Sequence, residues 1–415
     1  MFEGTGLAEV RRLLGSTRLL TLTGAGGSGK TRLAIELAAR GVAPQRIALI
    51  DAKPVDAAAQ DPRSIALSWG SRQLLAQIAA WTSRATPITQ IHVSRRGSFG
   101  RTLIDRHDYR IPALGYVVRY GALIDGLHQA LSKAMQRYSE QLVCLENTAA
   151  RVIDAPGSSN HDTDFWRDVE LAGDGKTITV RTRLIVHAEG TPPDNSQGVI
   201  ARGYGQRAII FEAGLAQSHN QRAWERFTPQ GPLALLPVDG VGGKRVSVVY
   251  TVPEQAAEQL LALNDTAILQ RIQQAIGPQA TFTDIGPRAS FPLKLRVRQP
   301  AVDQRELWIG NAAQTLHPVS GQGFNLGLRD AAILAQSLRQ TLDPGSAPVL
   351  NRYARSRQVD RWGAAGFTDG IVRTFSTPFP ALNAVRGIAL SALDLISPLR
   401  HFVARRMIWG SRAWP

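Results

Sequence analysis

The chain has 415 residues, of which 44% are hydrophobic and 20% charged, and its formal net charge is +15. This length and composition exclude a largely disordered protein and indicate two intertwined domains, or one large domain with additions. The excess positive charge favours an anionic partner, such as an acidic lipid surface or a phosphorylated ligand. Nucleic acid is not expected, because the sequence lacks zinc-finger spacing, an RNA-binding sheet signature and dense Lys/Arg blocks.

The single cysteine, Cys144, excludes an intrachain disulfide and fits a reducing cytoplasm. We expect no signal peptide, and no stretch reaches the ~20 uninterrupted apolar residues that a spanning helix needs. The sequence also has no HExxH motif and no Cys/His spacing typical of a metal site. We therefore expect a cytoplasmic protein that binds no metal.

The N-terminal region predicts a βαβ unit. The apolar run RLLTLTG (18–24) is typical of a buried strand, KTRLAIELAARG has apolar residues at helical spacing, and RIALIDA is a second buried strand that ends at Asp51. A strand, a glycine-rich turn, a helix and a strand in this order imply parallel strands joined by a right-handed crossover.

The turn itself, GAGGSGKT, fits two motifs. Gly24, Gly26 and Gly29 match the dinucleotide pattern Gly-x-Gly-x-x-Gly, whereas Lys30 and Thr31 complete a Walker A loop. In both motifs, backbone N–H groups and the positive end of the helix bind phosphate. Asp51 suits a dinucleotide fold, where it would accept ribose hydroxyls, and equally an NTPase, where it would bind magnesium. The turn alone leaves both possibilities open.

Beyond this unit the hydrophobic pattern alternates, as in ITQIHVSRRGSFGRTLI and RVSVVYTV, which is typical of half-exposed antiparallel strands. An α/β pattern returns near residue 307. The chain is therefore predicted to have an α/β nucleotide-binding domain, with a parallel sheet, that is interrupted by an antiparallel-sheet domain.

The stretch LWIGNAAQTLHPVSGQGFNLGLRD (307–330) carries a second glycine-rich region, in which Gly321, Gly323 and Gly327 straddle the start of a helix. Backbone amides at such a place are suited to stabilising negative charge on a flat heteroaromatic ring. This stretch resembles the second flavin motif of the flavin-dependent aromatic hydroxylases of ubiquinone biosynthesis, in the para-hydroxybenzoate hydroxylase superfamily. The similarity continues in DPRSIALSWGSRQLL, HVSRRG, AWERFTPQGPLALLP and SFPLKL, and it covers about residues 18–410.

The resemblance implies a domain organisation. A Rossmann-like FAD-binding domain would comprise residues 18–85, 107–200 and 286–345, and a substrate domain residues 86–106 and 201–285. A helical region would follow at 346–415. Its apolar faces, flanked by Arg373, Arg386, Arg400, Arg405 and Arg406, suit an anionic membrane surface as well as ordinary helix packing.

The resemblance also implies residue roles. Cofactor-binding residues would be Gly24, Gly26 and Gly29 at the FAD pyrophosphate, Asp51 at the adenosine ribose, Arg63 and Arg119 near the cofactor, Gly310 and Asn311 at the ribityl phosphate, and Gly321, Gln322, Gly323, Phe324 and Asn325 at the pyrimidine edge of the flavin ring. Pro318 would lie over the flavin with its carbonyl near the substrate. His317 beside it is a candidate acid or base, with a role in shaping the turn as the alternative.

Three further residues, Trp224, Arg226 and Phe227, would lie on the substrate-domain sheet facing the flavin, with core packing as the alternative for the aromatic side chains. Two positions depart from the family pattern. Glu189 in HAEG replaces the usual aspartate, and Lys30-Thr31 replaces small apolar residues. Residues 1–37 also resemble the P-loop start of regulator-associated ATPases.

The function implied by the resemblance is FAD-dependent monooxygenation, with NAD(P)H and O₂ consumed through a flavin hydroperoxide and an electron-rich phenol hydroxylated. The run AWERFTPQGPLALLP is most similar to the enzymes that act on 2-polyprenyl-6-methoxyphenol. Such a substrate implies a peripheral location on the inner face of the cytoplasmic membrane, in a possible ubiquinone-biosynthesis complex. Two alternatives remain at this point: a P-loop NTPase or ATP-sensing regulator, and a non-catalytic flavoprotein subunit.

Overall fold

The structure is a computed structural model that describes residues 19–23, 28–39, 46–54, 61, 63–97, 101–138, 142–153, 166–173, 175–317, 321–339, 341–376 and 397–410. Within these ranges the helices are α1 (Ser28–Ala39), α2 (Trp69–Gln77), α3 (Tyr120–Arg137), α4 (Glu254–Leu261), α5 (Asp265–Ile276), α6 (Gln322–Ser337), α7 (Ala347–Ser376) and α8 (Ser397–Trp409).

The strands in the same ranges are β1 (Leu19–Thr23), β2 (Arg46–Ile50), β3 (Ser64–Ser68), β4 (Ala85–Ile88), β5 (Gln90–Arg95), β6 (Arg101–Asp105), β7 (Gly115–Arg119), β8 (Leu142–Leu145), β9 (Ala149–Ile153), β10 (Arg167–Gly173), β11 (Lys176–Thr182), β12 (Leu184–His187), β13 (Val199–Leu215), β14 (Arg222–Phe227), β15 (Pro232–Val238), β16 (Arg245–Pro253), β17 (Phe282–Ile285), β18 (Ala289–Arg298), β19 (Val302–Asp303), β20 (Glu306–Trp308) and β21 (Gln314–Thr315).

The predicted βαβ unit forms the centre of a six-stranded sheet with the order β19–β20–β12–β1–β2–β8. Its neighbouring strands are parallel except β19 and β20. Read from β8, the parallel strands follow the 3-2-1-4-5 order of a dinucleotide-binding Rossmann fold. Because β1 is flanked by β2 and β12, its carboxyl end lies where the strand order reverses, which is the usual position of a dinucleotide.

Both faces of the parallel sheet are covered, which explains the continuous apolar runs of its strands. One face shares a buried core with α1, α3 and α6, through side chains such as Leu33, Leu127 and Leu334. The other face packs against an antiparallel sheet with the order β11–β10–β9, through Ile50, Val169 and related side chains.

The alternating segments form a nine-stranded sheet with the order β21–β18–β13–β16–β15–β14–β5–β6, to which β17 adds by pairing with β13. It is antiparallel except for the parallel pair β14 and β5. Helices α4 and α5 cover one face, where Ile268 and Ile272 share a core with Trp224 and Val248. The opposite face is turned towards a small sheet with the order β3–β7–β4, which joins the two large sheets.

The predicted fold class is therefore confirmed: a Rossmann-like parallel sheet, an antiparallel sheet and a helical C-terminal region. The predicted domain boundaries stay a prediction. At one place, however, a strand pairs with the sheet of the other predicted domain. Strand β18, which falls in the predicted third FAD-binding segment, pairs with β13 of the antiparallel sheet. Among the described helices, none is long and apolar enough to cross a membrane.

Candidate cofactor and substrate site

The carboxyl edge of the parallel sheet carries a buried ion pair. Lys30 Nζ, in the first turn of α1, lies 2.9 Å from Oδ2 of Asp51, which follows β2. Burial lowers the pKa of Lys30, and the neighbouring Asp51 carboxylate opposes that shift. The Asp51 side chain predicted to meet a ribose is thus already engaged with a lysine, although a carboxylate can accept further hydrogen bonds. Gly29 lies in α1, whereas Gly24 and Gly26 lie outside the described residues.

A second ionic cluster lies at the end of the neighbouring strand β12. The His187 ring nitrogens lie 3.1 Å from Glu189 Oε1 and 2.8 Å from Glu306 Oε2, and Arg167 Nη2 donates to Glu306 Oε1 at 2.6 Å. The imidazole also stacks on the Trp308 ring, with centroids 4.7 Å apart. Burial alone would lower the pKa of His187, but the two carboxylates outweigh it and raise this pKa to about 9. The ring is therefore an imidazolium at neutral pH, donating from both nitrogens.

The second glycine-rich region begins where β20 ends. Gly310 has a left-handed φ of +58°, and its N–H donates to Asp330 Oδ2 at 2.9 Å. Gly327 of α6 lies directly beneath it, because a Cβ there would be 3.2 Å from the Gly310 Cα. Asn311 follows at an exposed position. The left-handed φ favours glycine at position 310, and the close approach favours it at position 327.

Asp330 belongs to a buried charge network between α6 and α7. Its Oδ1 accepts from Arg357 Nε at 2.7 Å, and Arg357 Nη1 donates to Asp360 Oδ2 at 2.7 Å. Asp360 Oδ2 also accepts from Arg329 Nε at 2.8 Å. This network was not predictable from the sequence, because only the fold brings Arg329 and Asp330 of α6 next to Arg357 and Asp360 of α7. The adjacent Arg329 and Asp330 in GLRD mark the α6 half of the network, and no local pattern points to the half in α7.

The loop before α6 is tied to the small sheet by Asn325. Its Nδ2 donates to Gly321 O at 2.8 Å and Ala66 O at 3.1 Å, while its Oδ1 accepts from Ser68 N at 2.8 Å. The side chain that was predicted to meet the flavin therefore positions the loop. Its role as a direct ligand stays a prediction, as do those of Gln322, which is buried, and Phe324, which packs edge-on to Tyr120.

His317 and Pro318, the predicted catalytic pair, precede this loop. Pro318 lies outside the described residues. His317 is 1% exposed and packs edge-on to Tyr204, with ring centroids 5.2 Å apart. Burial lowers the pKa of His317 to about 4. The imidazole is therefore neutral at physiological pH, which fits the role of shaping the turn better than that of an acid.

Arg63 and Arg119 both bridge the dinucleotide-binding part and the antiparallel sheet. Arg63 forms a fork with Asp61, with Nη2 to Oδ2 at 2.6 Å, and its guanidinium lies 5.7 Å from the centroid of the Phe291 ring. Arg119 pairs with Glu212 of β13, with Nη1 to Oε1 at 2.5 Å. Both side chains remain partly exposed. Direct contact of either with a cofactor stays a prediction.

The antiparallel sheet turns one face towards these groups. Phe291 and Glu212 lie on this face, and so does Ala223, which packs with Leu236 against Ile88 and Val117 of the small sheet. We call it the inner face. Trp224 and Arg226 lie on the opposite face: Trp224 joins the core under α4 and α5, and Arg226 Nε donates to Ala275 O of α5 at 3.0 Å.

The expectation for Trp224 and Arg226 is therefore wrong, whereas Phe227 does alternate onto the inner face. The reason is the two-residue period of a strand, which sends Ala223, Glu225 and Phe227 to one side and Arg222, Trp224 and Arg226 to the other. Glu225 was not predicted as a site residue, because the alternation in AWERF does not show which side of the strand faces the small sheet.

The residues at the start of α6 leave room for a flat ligand. A Cβ built on Gly323 would meet no described atom within 4 Å, and one on Gly321 would meet only Ala66 Cβ at 3.6 Å. A Cβ on Gly310 would meet only the Cα of Gly327 at 3.8 Å. This open space faces the positive N-terminal end of a sixteen-residue helix. The residues present therefore fit the anionic edge of a flavin.

A Rossmann-type strand order, a glycine-lined space at a second helix N-terminus and an antiparallel sheet beside both define a flavoprotein of the FAD-binding type. Comparison with known proteins agrees. The FAD binding domain family model matches residues 154–368. The ubiquinone hydroxylase UbiL of Rhodospirillum rubrum is 32% identical over 410 residues, which cover 95% of this chain and 90% of that protein.

The 3-demethoxyubiquinol 3-hydroxylase of Escherichia coli is 28% identical, covering 91% of this chain and 95% of that protein. Among solved structures, p-nitrophenol 4-monooxygenase PnpA of Pseudomonas putida superposes with a TM-score of 0.73 at 15% identity, covering 95% of this chain and 99% of that one. The chain belongs to the FAD-binding monooxygenase family that includes the hydroxylases of ubiquinone biosynthesis, and it is an FAD-dependent monooxygenase. The P-loop NTPase alternative is not favoured.

The raised pKa of His187 predicts a pH-dependent stability. Because the folded-state pKa of about 9 lies above the ordinary value of 6.5, the stabilisation is fully present below pH 6.5 and is lost as the pH rises through 9. It is on the order of 3 kcal/mol. Urea unfolding of His187→Gln and wild type should show a free-energy difference that shrinks across this window. The control His107→Gln removes an exposed imidazole, and an equal pH dependence in both variants would contradict the assignment.

Proposed function

We propose that this monooxygenase hydroxylates the aromatic ring of a polyprenyl phenol in ubiquinone biosynthesis, with 2-polyprenyl-6-methoxyphenol as the substrate and NAD(P)H and O₂ as co-substrates. The observation that carries the proposal is the similarity to ubiquinone hydroxylases along nearly the whole chain. It is joined by apolar side chains on the inner sheet face next to the part that the small sheet covers, such as Ala234 of β15 and Phe227 of β14. Such a face suits a hydrophobic ring with a long hydrocarbon tail.

When bound, FAD supplies the activation of O₂ and the transfer of one oxygen atom to the ring. The protein's own part is to bind and orient. The backbone amides of Gly321, Gln322 and Gly323, at the N-terminus of α6, would hold negative charge on the ring edge of the cofactor. The apolar inner face would hold the substrate ring and exclude water from the space between sheet and helix.

At the other end of the cofactor, the proposed contacts are those of Gly24, Gly26 and Gly29 with the pyrophosphate, and of Asp51 with the ribose. Lys30 is held by Asp51 in this region, so the pyrophosphate would meet a site whose negative carboxylate is already compensated. Asn311, exposed beside the open space, is the proposed contact with the ribityl phosphate. Pro318 is proposed to lie over the ring.

The FAD site is tested by filling the open space. Gly323→Val places a branched side chain where a Cβ meets no described atom. The variant should therefore fold with the stability of wild type, or slightly better because glycine is a poor helix former. Its affinity for FAD should fall at least tenfold, measured by fluorescence titration of the apoprotein.

The matched control is Gly366→Val in α7, another helical glycine around which a Cβ meets no described atom. It makes the same chemical change away from the open space and should leave FAD affinity unchanged. Equal FAD affinity in Gly323→Val and wild type would remove the start of α6 from the cofactor site.

The substrate proposal is tested with the FAD-loaded protein and a short-chain 2-prenyl-6-methoxyphenol. NAD(P)H oxidation should rise when the phenol is added, and ¹⁸O₂ should place one labelled oxygen on the ring, detected by mass spectrometry. In a strain lacking this chain, a methoxyphenol precursor should accumulate. Oxidation of NAD(P)H that does not respond to the phenol would instead favour a non-catalytic flavoprotein subunit, and a colourless protein that hydrolyses ATP would favour an NTPase.

The proposal includes peripheral attachment to an anionic membrane, and with it possible membership of a biosynthetic complex. Val359 and Trp362 of α7 and Phe402 of α8 are exposed, at 64%, 46% and 52%. Arg352 and Arg355 are exposed on α7 as well. Exposed apolar side chains near cations suit an anionic lipid surface.

Sedimentation with vesicles tests this attachment. The protein should sediment with vesicles that contain phosphatidylglycerol and much less with pure phosphatidylcholine, and Trp362→Asp should reduce the bound fraction severalfold. Equal recovery in the supernatant with both vesicle types would contradict the attachment, without bearing on the hydroxylase activity.

A further inference from the structure

Glu225 stands out on the inner face of the antiparallel sheet. It lies in the middle of β14, opposite Ala234 of β15 and Val93 of β5. Its same-face neighbours along the strand are Ala223 and Phe227. A carboxyl group is thus placed among apolar side chains, where burial is costly unless something binds to it.

None of the residues that the structure describes supplies that partner to Oε1. Among the described residues, Glu225 Oε1 is buried and has no hydrogen-bond partner. Burial raises the pKa of Glu225 to about 8. The residue as a whole keeps partial exposure, so the side chain is not fully enclosed by the core. Buried polar groups without a partner are rare and cluster at functional sites.

The small sheet connects this carboxyl group to the cofactor end of the site. Ala66 and Val117 are directly paired in the small sheet and share one of its faces. Ala66 Cβ lies next to Gly321, at 3.6 Å from the position of a Cβ there, and Val117 packs against Ala223, two residues before Glu225. One face of the small sheet therefore borders both the glycine loop and the strand that carries Glu225.

A second described acid on the inner face, Glu212, is not available in the same way. Glu212 is held by both terminal nitrogens of Arg119, at 2.5 and 3.1 Å. A ligand that meets Glu212 would have to displace an ion pair, whereas a ligand that meets Glu225 would satisfy a buried oxygen. Binding at Glu225 therefore breaks no ion pair and gives a buried oxygen a partner, so Glu225 is the better group to bind a polar substituent of the ligand.

Resting on the proposed function, we infer that Glu225 binds the hydroxyl group of the aromatic substrate by a hydrogen bond and so selects free phenols over aryl ethers. A carboxyl group can accept the phenolic hydrogen and, when protonated, can also donate to the phenolic oxygen. A methyl ether offers no hydrogen and places a methyl group against the carboxyl oxygen. The buried oxygen then stays unsatisfied, which is how a polar site rejects a near-isostere.

The experiment compares two ligands on the FAD-loaded protein: 2-methoxyphenol and its methyl ether, 1,2-dimethoxybenzene. Dissociation constants are measured from the change in flavin absorbance, without turnover. Wild type should prefer the phenol about tenfold, as for one hydrogen bond of ordinary net strength. Glu225→Leu should bring that preference close to one while still binding FAD, and Glu225→Gln, which keeps an acceptor and a donor, should retain most of it.

The matched control is Glu254→Gln, which removes an exposed carboxylate on α4, on the other side of the sheet, and should leave the preference unchanged. If Glu225→Leu keeps the wild-type preference, or weakens both ligands equally, Glu225 does not bind the hydroxyl group and the inference is overturned, while the proposed hydroxylase activity stands. If wild type binds FAD but neither ligand, and NAD(P)H oxidation ignores the phenol, the proposed function fails with it.

Discussion

The buried carboxylate of Asp330 is the contact on which the ring end of the site depends. It joins three elements at one side chain: the loop after β20 through Gly310 N–H, strand β21 through Gln314, and helix α7 through Arg357. Asp330 and Arg357 are both 0% exposed, so removing either would leave the buried network of two arginines and two aspartates with one uncompensated charge, at a cost of about 3–5 kcal/mol. Helix α7 thus helps to set the position of the loop, through the carboxylate that Arg357 holds.

This arrangement explains why the two ends of the proposed cofactor site differ in character. The sheet-edge end is ionic, with Lys30 on Asp51 and an imidazolium between two carboxylates. Charges there are compensated within the protein, so a pyrophosphate would meet oriented backbone dipoles more than free cations. The ring end depends on backbone geometry. Gly310 and Gly327 approach each other closely there, and the Asp330 carboxylate accepts a hydrogen bond from the N–H of Gly310.

Much of the secondary structure could be predicted from the hydrophobic periodicity of the sequence, but the order of the strands in the sheets could not. The buried strands β1 and β2 and helix α1 were predicted from apolar spacing, because such spacing reflects which faces are covered. The side of the antiparallel sheet that faces the cofactor was not predictable in the same way. The alternation in AWERF fixes that Trp224 and Glu225 point in opposite directions, but only the packing of α4 and α5 decides which of them is on the inner face.

The residues of the candidate site differ in the same way, because some of them left a signal in the sequence and others did not. The spacing of Gly321, Gly323 and Gly327 marked the start of α6 in the sequence, and the left-handed φ of +57° at Gly321 gives one of these glycines a backbone requirement. Arg357, in contrast, lies 27 residues from the aspartate it binds and left no local signal. Glu225 also left no signal in the sequence. A carboxyl group in a strand is ordinarily expected on the solvent face, so the sequence alone would not place Glu225 in a binding site. On the inner face, Glu225 lies among apolar neighbours, so its burial has a desolvation cost. A protein retains a cost of this kind where the buried acid has a ligand to recognise.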